Sequence, residues 1–308
     1  MIYRDPQAFL ALARTLSAEQ PGCARAAFLV APDGLRIAAE SATDNQYMDV
    51  ARVVDVDRAL AQHARLQKEL AKRVPTIGFP GDPATPDAVF PNNVFATARL
   101  PGEVGGRFII GRMRHPLRQR EAERADIQRF FVEVLGYQQI DLRGLPGLSE
   151  LTGTLVIDRA RRIGFAGLSP RCDLEGVRAM HAAFGLRAIL AFELAEGEYH
   201  TNVVMGTLGG RSLVIGPSAF KDESVAAALI ELYGTDAIVL DSNELRGFAG
   251  NCIALDQDRV WMSERAADGL QAATRSLFAK RGWHVASVPL DEVEKAGGSL
   301  RCCVAEIF

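Results

Sequence analysis

The sequence lacks the patterns that define several large protein classes. It has no apolar run approaching the ~18 residues that a membrane-spanning helix needs. No CxxC, HExxH or comparable ligand spacing occurs, which argues against a metal site. The five cysteines are odd in number and scattered, except for the adjacent Cys302 and Cys303, and do not make a disulfide framework. A large excess of one charge sign is missing as well. With 35 Lys and Arg against 38 Asp and Glu the formal net charge is −3, so there is no electrostatic case for nucleic acid or an anionic membrane as partner. The opening MIYRDPQAFLALARTLS carries Asp5 and Pro6 early, unlike a secretory leader, and is expected to form a short amphipathic helix. These features lead us to expect a reduced, cytoplasmic protein that needs no cofactor or metal and acts on a small molecule. No low-complexity linker divides the chain, so residues 1–308 are expected to form a single domain, with 1–20 as a helical extension. That extension would serve either as the arm of a homodimer or as a prop on the side of its own chain.

What the sequence does have is a degenerate repeat of roughly fifty residues. Segments starting at Asn92, Thr152, Thr201 and Gly250 share one layout: a small or amide residue, an apolar strand, a turn, a second strand and a helix. The helices are expected over Arg118–Leu135, Leu174–Phe184, Ser224–Tyr233 and Arg265–Lys280, with an earlier one over Val56–Arg73 after the strand AAFLVAP. The incoming strand ends fall at Asn45, Asn93, Gly153, Asn202, Asn251 and Cys302. A strand–strand–helix unit cannot bury both faces of its hairpin alone, so several must pack around a common centre. Radial packing would bring these strand ends together in one pocket; the alternative is a stack of similar α/β hairpins without a shared pocket.

The polar residues at those ends are chemically suggestive as a set. They are Asp44, Asn45, Asp87, Asn92, Asn93, Glu150, His200, Asn202, Asn251 and Cys302. Singly, each has an ordinary explanation as a turn, cap or structural histidine. Together, a thiol, an imidazole and carboxylates make the minimum set for nucleophilic attack on a cationic carbon. A guanidinium is planar, positive and rich in N–H donors, so carboxylates are its natural clamp. A thiolate could then add to its carbon while the histidine moves protons. Of the terminal pair, strand alternation would turn Cys302 into the pocket and Cys303 into the packing.

The stretch PDAVFPNN, the HTN at His200 and the ending RC-x-x-AEIF resemble the pentein superfamily of guanidine-modifying enzymes, from about Phe28 to the C-terminus. That superfamily holds arginine deiminases, dimethylarginine dimethylaminohydrolases, arginine dihydrolases and amidinotransferases. The chain looks most like a bacterial, citrulline-utilisation hydrolase-like amidinotransferase branch. The resemblance implies a five-bladed pseudo-symmetric α/β propeller with its site on the axis. It also implies Cys302 as nucleophile, His200 as general acid/base and Glu150 as the group that orients the histidine or binds guanidinium. Asp87 matches a substrate-binding aspartate, and Arg118 and Arg171 match arginines that hold a substrate carboxylate. Asn45, Asn92, Asn93, Asn202 and Asn251 complete the expected substrate-binding set. Three positions depart from the family patterns. Asn93 stands where deiminases carry Asp, Asn202 where their histidine context has Asp, and Glu150-Leu-Thr-Gly replaces Glu-Gly-Thr-Gly. Asn93 accompanies arginine dihydrolases in the family, which yield ornithine, carbon dioxide and ammonia. The expected activity is therefore cysteine-dependent hydrolysis of a guanidino or ureido compound. An amidinotransferase and a dimethylarginine hydrolase are the enzymatic alternatives. A non-catalytic binding module is disfavoured by the presence of Cys302, His200, Asp87 and Glu150 together.

Overall fold

The computed structural model describes all residues from Met1 to Phe308. The repeat is realised as five separate sheets. In three of them an inner strand pairs antiparallel with a second strand, which pairs parallel with a third. These are Phe95–Ala98, Arg107–Ile110 and Gln138–Asp141; Leu155–Asp158, Ile163–Leu168 and Ala188–Glu193; and Met205–Leu208, Ser212–Ile215 and Ala237–Val239. A fourth sheet has the same order, with its inner strand Ala305–Ile307 joined to Ala26–Val30 and Thr76–Phe79. In the fifth, Arg259–Ser263 pairs with His284–Val288, and the inner strand shrinks to a single bridge between Ile253 and Trp261. Inner strands such as Leu155–Asp158 are buried throughout, which explains their continuous apolar runs.

The helices between strands bury one apolar stripe against these sheets. Val56–Leu70 buries Ala59, His63, Leu66 and Leu70, with Asp55 capping the Arg58 amide. Leu174–Phe184 spans the expected residues and ends at Gly185 in the left-handed region. Glu223–Tyr233 begins one residue early, on its cap Asp222. Two expected helices are broken. The Arg118–Leu135 stretch divides at Arg124, whose ψ of 92° leaves the helical region, and winds wide over Phe130–Val134. The Arg265–Lys280 stretch divides at Leu270 and Gln271, both extended, into Glu264–Gly269 and Ala272–Lys280. Apolar spacing alone does not register such interruptions.

The first residues are not purely helical. Ile2–Tyr3 adds a parallel strand to Ala188–Glu193 before Pro6–Ala13 forms a helix capped by Asp5. That helix packs on its own chain, burying Phe9, Leu10 and Ala13 and pairing Arg14 with Glu231 at 2.6 Å. No helix is long and apolar enough to cross a membrane.

One correction concerns the positions that carry the polar residues. Most sit not on strand ends but on single helical turns that feed the inner strands, Pro91–Asn93, Leu151–Thr154, Thr201–Val204 and Leu300–Cys303, with Glu150 and His200 at the caps of two of them; Asn251 lies in a bend. Cys302 and Cys303 are therefore successive residues of a helical turn, about 100° apart by helical geometry rather than the 180° of a strand. Asn45 is also not a strand entry. It closes the short turn Ser41–Asp44 in a loop that lies over the site.

Candidate functional site

The helical turns pack against one another and present their side chains to a common centre. Gly153 makes this approach possible: a Cβ there would lie 2.5 Å from Asn93 Nδ2 and 2.9 Å from His200 Nδ1. Cys302 is 1% exposed. Asn251 grips it twice, donating from Nδ2 to Sγ at 3.2 Å and accepting the Cys302 amide at 3.3 Å. The same Nδ2 donates to the Asn202 carbonyl at 2.8 Å, which fixes the amide's orientation. The thiol itself donates to Asn202 Oδ1 at 3.6 Å. Burial raises the Cys302 pKa, opposed by the Asn251 hydrogen bond and by Arg301 and Arg118, so the resting sulfur is a thiol. Cys303 points elsewhere, donating to the Ser299 carbonyl at 3.5 Å, and burial pushes its thiol well up.

His200 and Glu150 form a buried pair, with Nε2 and Oε2 2.8 Å apart. Burial opposes ionisation of Glu150, but Arg171, His200 and Arg118 together hold its carboxyl below the usual range. An ionised carboxylate can only accept, so Nε2 carries the proton and Nδ1 is left as the base. That Nδ1 is buried and has no partner in the protein. Burial, outweighing the attraction of Glu150, lowers the His200 pKa to about 4.

The buried His63 is held at about 4 as well, by burial against a weaker pull from Asp33. Both histidines protonate near 6.5 when unfolded. Their neutral forms therefore stabilise the fold fully above pH 6.5, and that stability drains away as pH falls toward 4, at about 1.4 kcal/mol per pH unit per histidine. Calorimetry at pH 7 and pH 5 should show a smaller drop in melting temperature for His63→Leu than for the unaltered protein. An equal drop would mean that His63 titrates normally in the fold.

Asp87 is 3% exposed; its Oδ2 accepts from Ser41 Oγ at 2.6 Å while Oδ1 has no partner. A buried carboxylate oxygen left bare is costly unless something positive comes to it. Asn93, by contrast, is fully engaged: its Nδ2 donates to Asn92 Oδ1 at 2.9 Å and its Oδ1 accepts from Arg118 at 2.9 Å. Asn92 keeps an unpartnered Nδ2. Arg118 is buried, bonded to both oxygens of Glu121 and to the carbonyls of Asp87 and Phe90. Arg171 bonds Asp44 at 2.6 Å and the Ser41 carbonyl at 2.8 Å, and its NH1 is 3.5 Å from Glu150. Asp44 also receives His115 and Arg114, so three basic side chains meet on it.

A cavity is lined by Cys302, Asp87, Asn93, Asn45, Arg118 and Arg171 together with Ser41, Met48, Phe90, Tyr199 and Ala296; His200, Glu150, Asn92, Asn202 and Asn251 are not in its lining. It holds only about 10 Å³ of open space, room for about one water. Its roof is the loop carrying Ser41, Asn45 and Met48. Asn45 Nδ2 donates to the Gly297 carbonyl at 3.4 Å, and Gly297, at φ +77°, leaves no space for a side chain against Asn45. Tyr199 OH donates to the same carbonyl at 2.5 Å, and its ring lies 4.4 Å from that of His200 and 4.9 Å from the Arg171 guanidinium. The sequence reading did not single out Ser41, Tyr199 or Glu121. The i, i+3 spacing of Arg118 and Glu121 was visible, and Tyr199 precedes His200, but neither pattern says that the pair is buried.

The family model described as N,N dimethylarginine dimethylhydrolase, eukaryotic, matches residues 31–308. The N(G),N(G)-dimethylarginine dimethylaminohydrolase of Mycobacterium tuberculosis is 28% identical over 267 residues, covering 85% of this chain and 80% of that protein. The bifunctional arginine dihydrolase/ornithine cyclodeaminase AgrE of Nostoc sp. is 24% identical over 227 residues, which are 73% of this chain and 31% of that protein. Among solved structures, the N-terminal domain of ArgZ, a cyanobacterial arginine dihydrolase, bound to substrate, superposes with a TM-score of 0.77 at 21% identity, covering 92% of this chain and 97% of that one. The likeness to this structure shows a shared α/β fold, that of the penteins. With most of its length matched by the family model, the chain belongs to the N,N-dimethylarginine dimethylhydrolase family of the pentein superfamily.

Proposed function

We propose that this chain is a cysteine hydrolase of arginine or a related guanidino or ureido compound. The observation that carries the reading is that Asp87 Oδ1, a buried and unpartnered carboxylate oxygen, shares a small cavity with the Cys302 thiol. A guanidinium satisfies that oxygen with N–H donors and a positive charge. Its charge also favours ionisation of the neighbouring thiol. We read the five sheets as blades of one pseudo-symmetric propeller, a single catalytic domain over 1–308 with its site on the axis.

In this reading the sulfur of Cys302 adds to the guanidinium carbon, and a C–S bond forms. Its proton goes to Nδ1 of His200, whose Nε2–H is held by Glu150. The adduct collapses by breaking a C–N bond, and the departing nitrogen takes the proton back from Nδ1. Water then gives a proton to Nδ1 and its oxygen to the carbon, the C–S bond breaks as that proton passes from Nδ1 to the departing sulfur, and a ureido product leaves with the thiol restored. Asn251 holds the sulfur in place and supports its negative charge, with Asn202 beside it. Arg118 anchors the Asp87–Asn93 turns. Arg171 has its Nε and NH2 taken by Asp44 and the Ser41 carbonyl, but its NH1 makes only a 3.5 Å approach to Glu150 and is the better placed partner for a substrate carboxylate, with Asn45 in the wall beside it.

The neutral amide of Asn93, held between Asn92 and Arg118, leaves Asp87 as the carboxylate with a bare oxygen in the cavity. A site with one such charge discriminates weakly between a guanidinium and a neutral ureido group. That favours a second round, in which citrulline is attacked in turn and ornithine, carbon dioxide and ammonia are released. A panel of guanidino and ureido compounds assayed for ammonia, with amino-acid products identified by mass, tests the reading. We expect arginine to give ornithine. Citrulline as the end product would remove the second round, and a new guanidino compound on adding glycine would make the protein an amidinotransferase.

Asn251→Ala should lower kcat by about 10²-fold with little change in KM, as expected for loss of a hydrogen bond to developing charge. Because Asn251 lowers the thiol's pKa, alkylation of Cys302 in the variant should require a higher pH. Unchanged kcat and an unchanged alkylation profile would remove Asn251 from the mechanism.

A further inference from the structure

Arg171 and Cys302 border one cavity from distant parts of the chain, and a single buried side chain, Tyr199, is tied to both. The Arg171 guanidinium carbon lies over the Tyr199 ring, 4.9 Å from its centroid, and the His200 ring is 4.4 Å away. The backbones of the two residues are also joined. The Ser169 hydroxyl donates to the Tyr199 carbonyl at 2.8 Å and accepts the Arg171 amide at 3.1 Å. On the other side, the Tyr199 hydroxyl donates to the Gly297 carbonyl at 2.5 Å. Gly297 opens the run 297–299 that feeds the turn Leu300–Cys303, where the Ser299 carbonyl accepts the Cys302 amide at 3.1 Å. A short series of contacts, from Arg171 through Tyr199 and Gly297 to Cys302, spans the cavity.

The other groups around the cavity set no such distance. Met48, Phe90 and Ala296 form an apolar wall, along which an aliphatic chain can slide. Asp44 and the Ser41 carbonyl hold Arg171 through Nε and NH2, but both belong to the loop that makes the roof. Tyr199 instead adjoins the turn Thr201–Val204, which packs against the turn of Cys302. Its ring is flat and stiff, and the face of an aromatic ring attracts a guanidinium. Burial raises its pKa well above the usual value, so the hydroxyl remains a donor to Gly297.

Resting on the hydrolase reading above, in which Arg171 takes the substrate carboxylate, we propose that Tyr199 is a positioning residue that determines substrate length. It holds Arg171 at a set separation from Cys302, so the site selects guanidino acids by the number of methylenes between carboxylate and guanidinium. A chain one methylene longer or shorter misplaces its guanidinium carbon by about 1 Å from the position the sulfur can reach, and an error of about 1 Å costs about 10²-fold in rate.

The test compares kcat/KM for arginine and for its homologues one methylene shorter and one methylene longer, in the unaltered protein, Tyr199→Phe and Tyr199→Leu. We expect the unaltered protein to prefer one length over its neighbours by about tenfold or more. Tyr199→Phe keeps the ring and should keep that preference. Tyr199→Leu removes the ring and should flatten the preference by about tenfold or more, through a loss confined to the favoured length. If Tyr199→Leu does not fold, Tyr199→Met, which keeps the bulk but not the flat face, carries the same comparison. A loss by one common factor for all three lengths overturns the proposal, because that marks a ring that only supports the fold. A flattened preference in Tyr199→Phe overturns it as well, since the ring is then not the spacer. Hydrolysis by the unaltered protein without preference among the lengths removes the role of Tyr199 and leaves the hydrolase reading standing. If none of the three compounds is hydrolysed, the hydrolase reading fails first and the proposal fails with it.

Discussion

Cys302→Ala should leave a folded protein whose turnover of its guanidino substrate is lower by at least about 10⁴-fold, the scale on which enzymes lose activity when a nucleophile is removed. Cys303→Ala, one residue away, should keep its activity and lose only about 1 kcal/mol of stability, the cost of a small cavity in a packed core. The contrast follows from what each sulfur touches. Cys302 lies between two amides, at 3.2 Å from Asn251 and 3.6 Å from Asn202, and borders the cavity with Asp87. Cys303 meets only the Ser299 carbonyl among polar groups and is otherwise in the apolar core. Steady-state assay and thermal melts of the two variants decide the matter. Comparable activity losses in both would mean that the helical turn as a whole, and not one thiol, is what matters.

Asp87→Asn should reduce kcat/KM by about 10²–10³-fold, the range for removing one partner of a buried charge pair, and should do so chiefly through KM. The same substitution should raise the melting temperature by about 2–4 °C. The reason is that Oδ1 of the resting protein is buried and bare, and an amide there is cheaper to bury than a charge. Ser41 can still donate to the amide oxygen, so the turn itself is preserved. Binding strength is stored as strain in the empty site, a trade between stability and activity seen wherever a charge awaits its ligand. A variant that lost both activity and stability would show that Asp87 supports the fold rather than the substrate.

How far the sequence carried these conclusions differs from one feature to another. The recurrence of Asn202, Asn251 and Cys302 at intervals of 49 and 51 residues was readable, and it is what brings two amides onto one sulfur. The conformation at those positions was not. Asn202 and Cys302 lie on helical turns of four residues and Asn251 in a bend; none has a periodicity of its own, and the apolar run that follows makes each look like the start of a strand. Asn45 illustrates a second limit. It shares the polar character of the repeat positions, yet no inner strand follows it, and it belongs to the roof. Arg118 illustrates a third. Its motif pointed to a substrate carboxylate, but its guanidinium is already bonded to Glu121, Asn93 and two carbonyls, a burial that only tertiary packing reveals. The pairing of His200 with Glu150 joins residues 50 apart, and the free Nδ1 that results is a property of geometry rather than of composition.

The most direct measurement is to mix the protein with arginine labelled with carbon-13 at the guanidino carbon, quench within the first turnovers, digest, and locate the label by mass spectrometry. The account predicts the labelled carbon on the peptide containing Cys302, specifically on that sulfur, and its disappearance as product forms. Product formation with no labelled peptide, or with the label on any other residue, would contradict it.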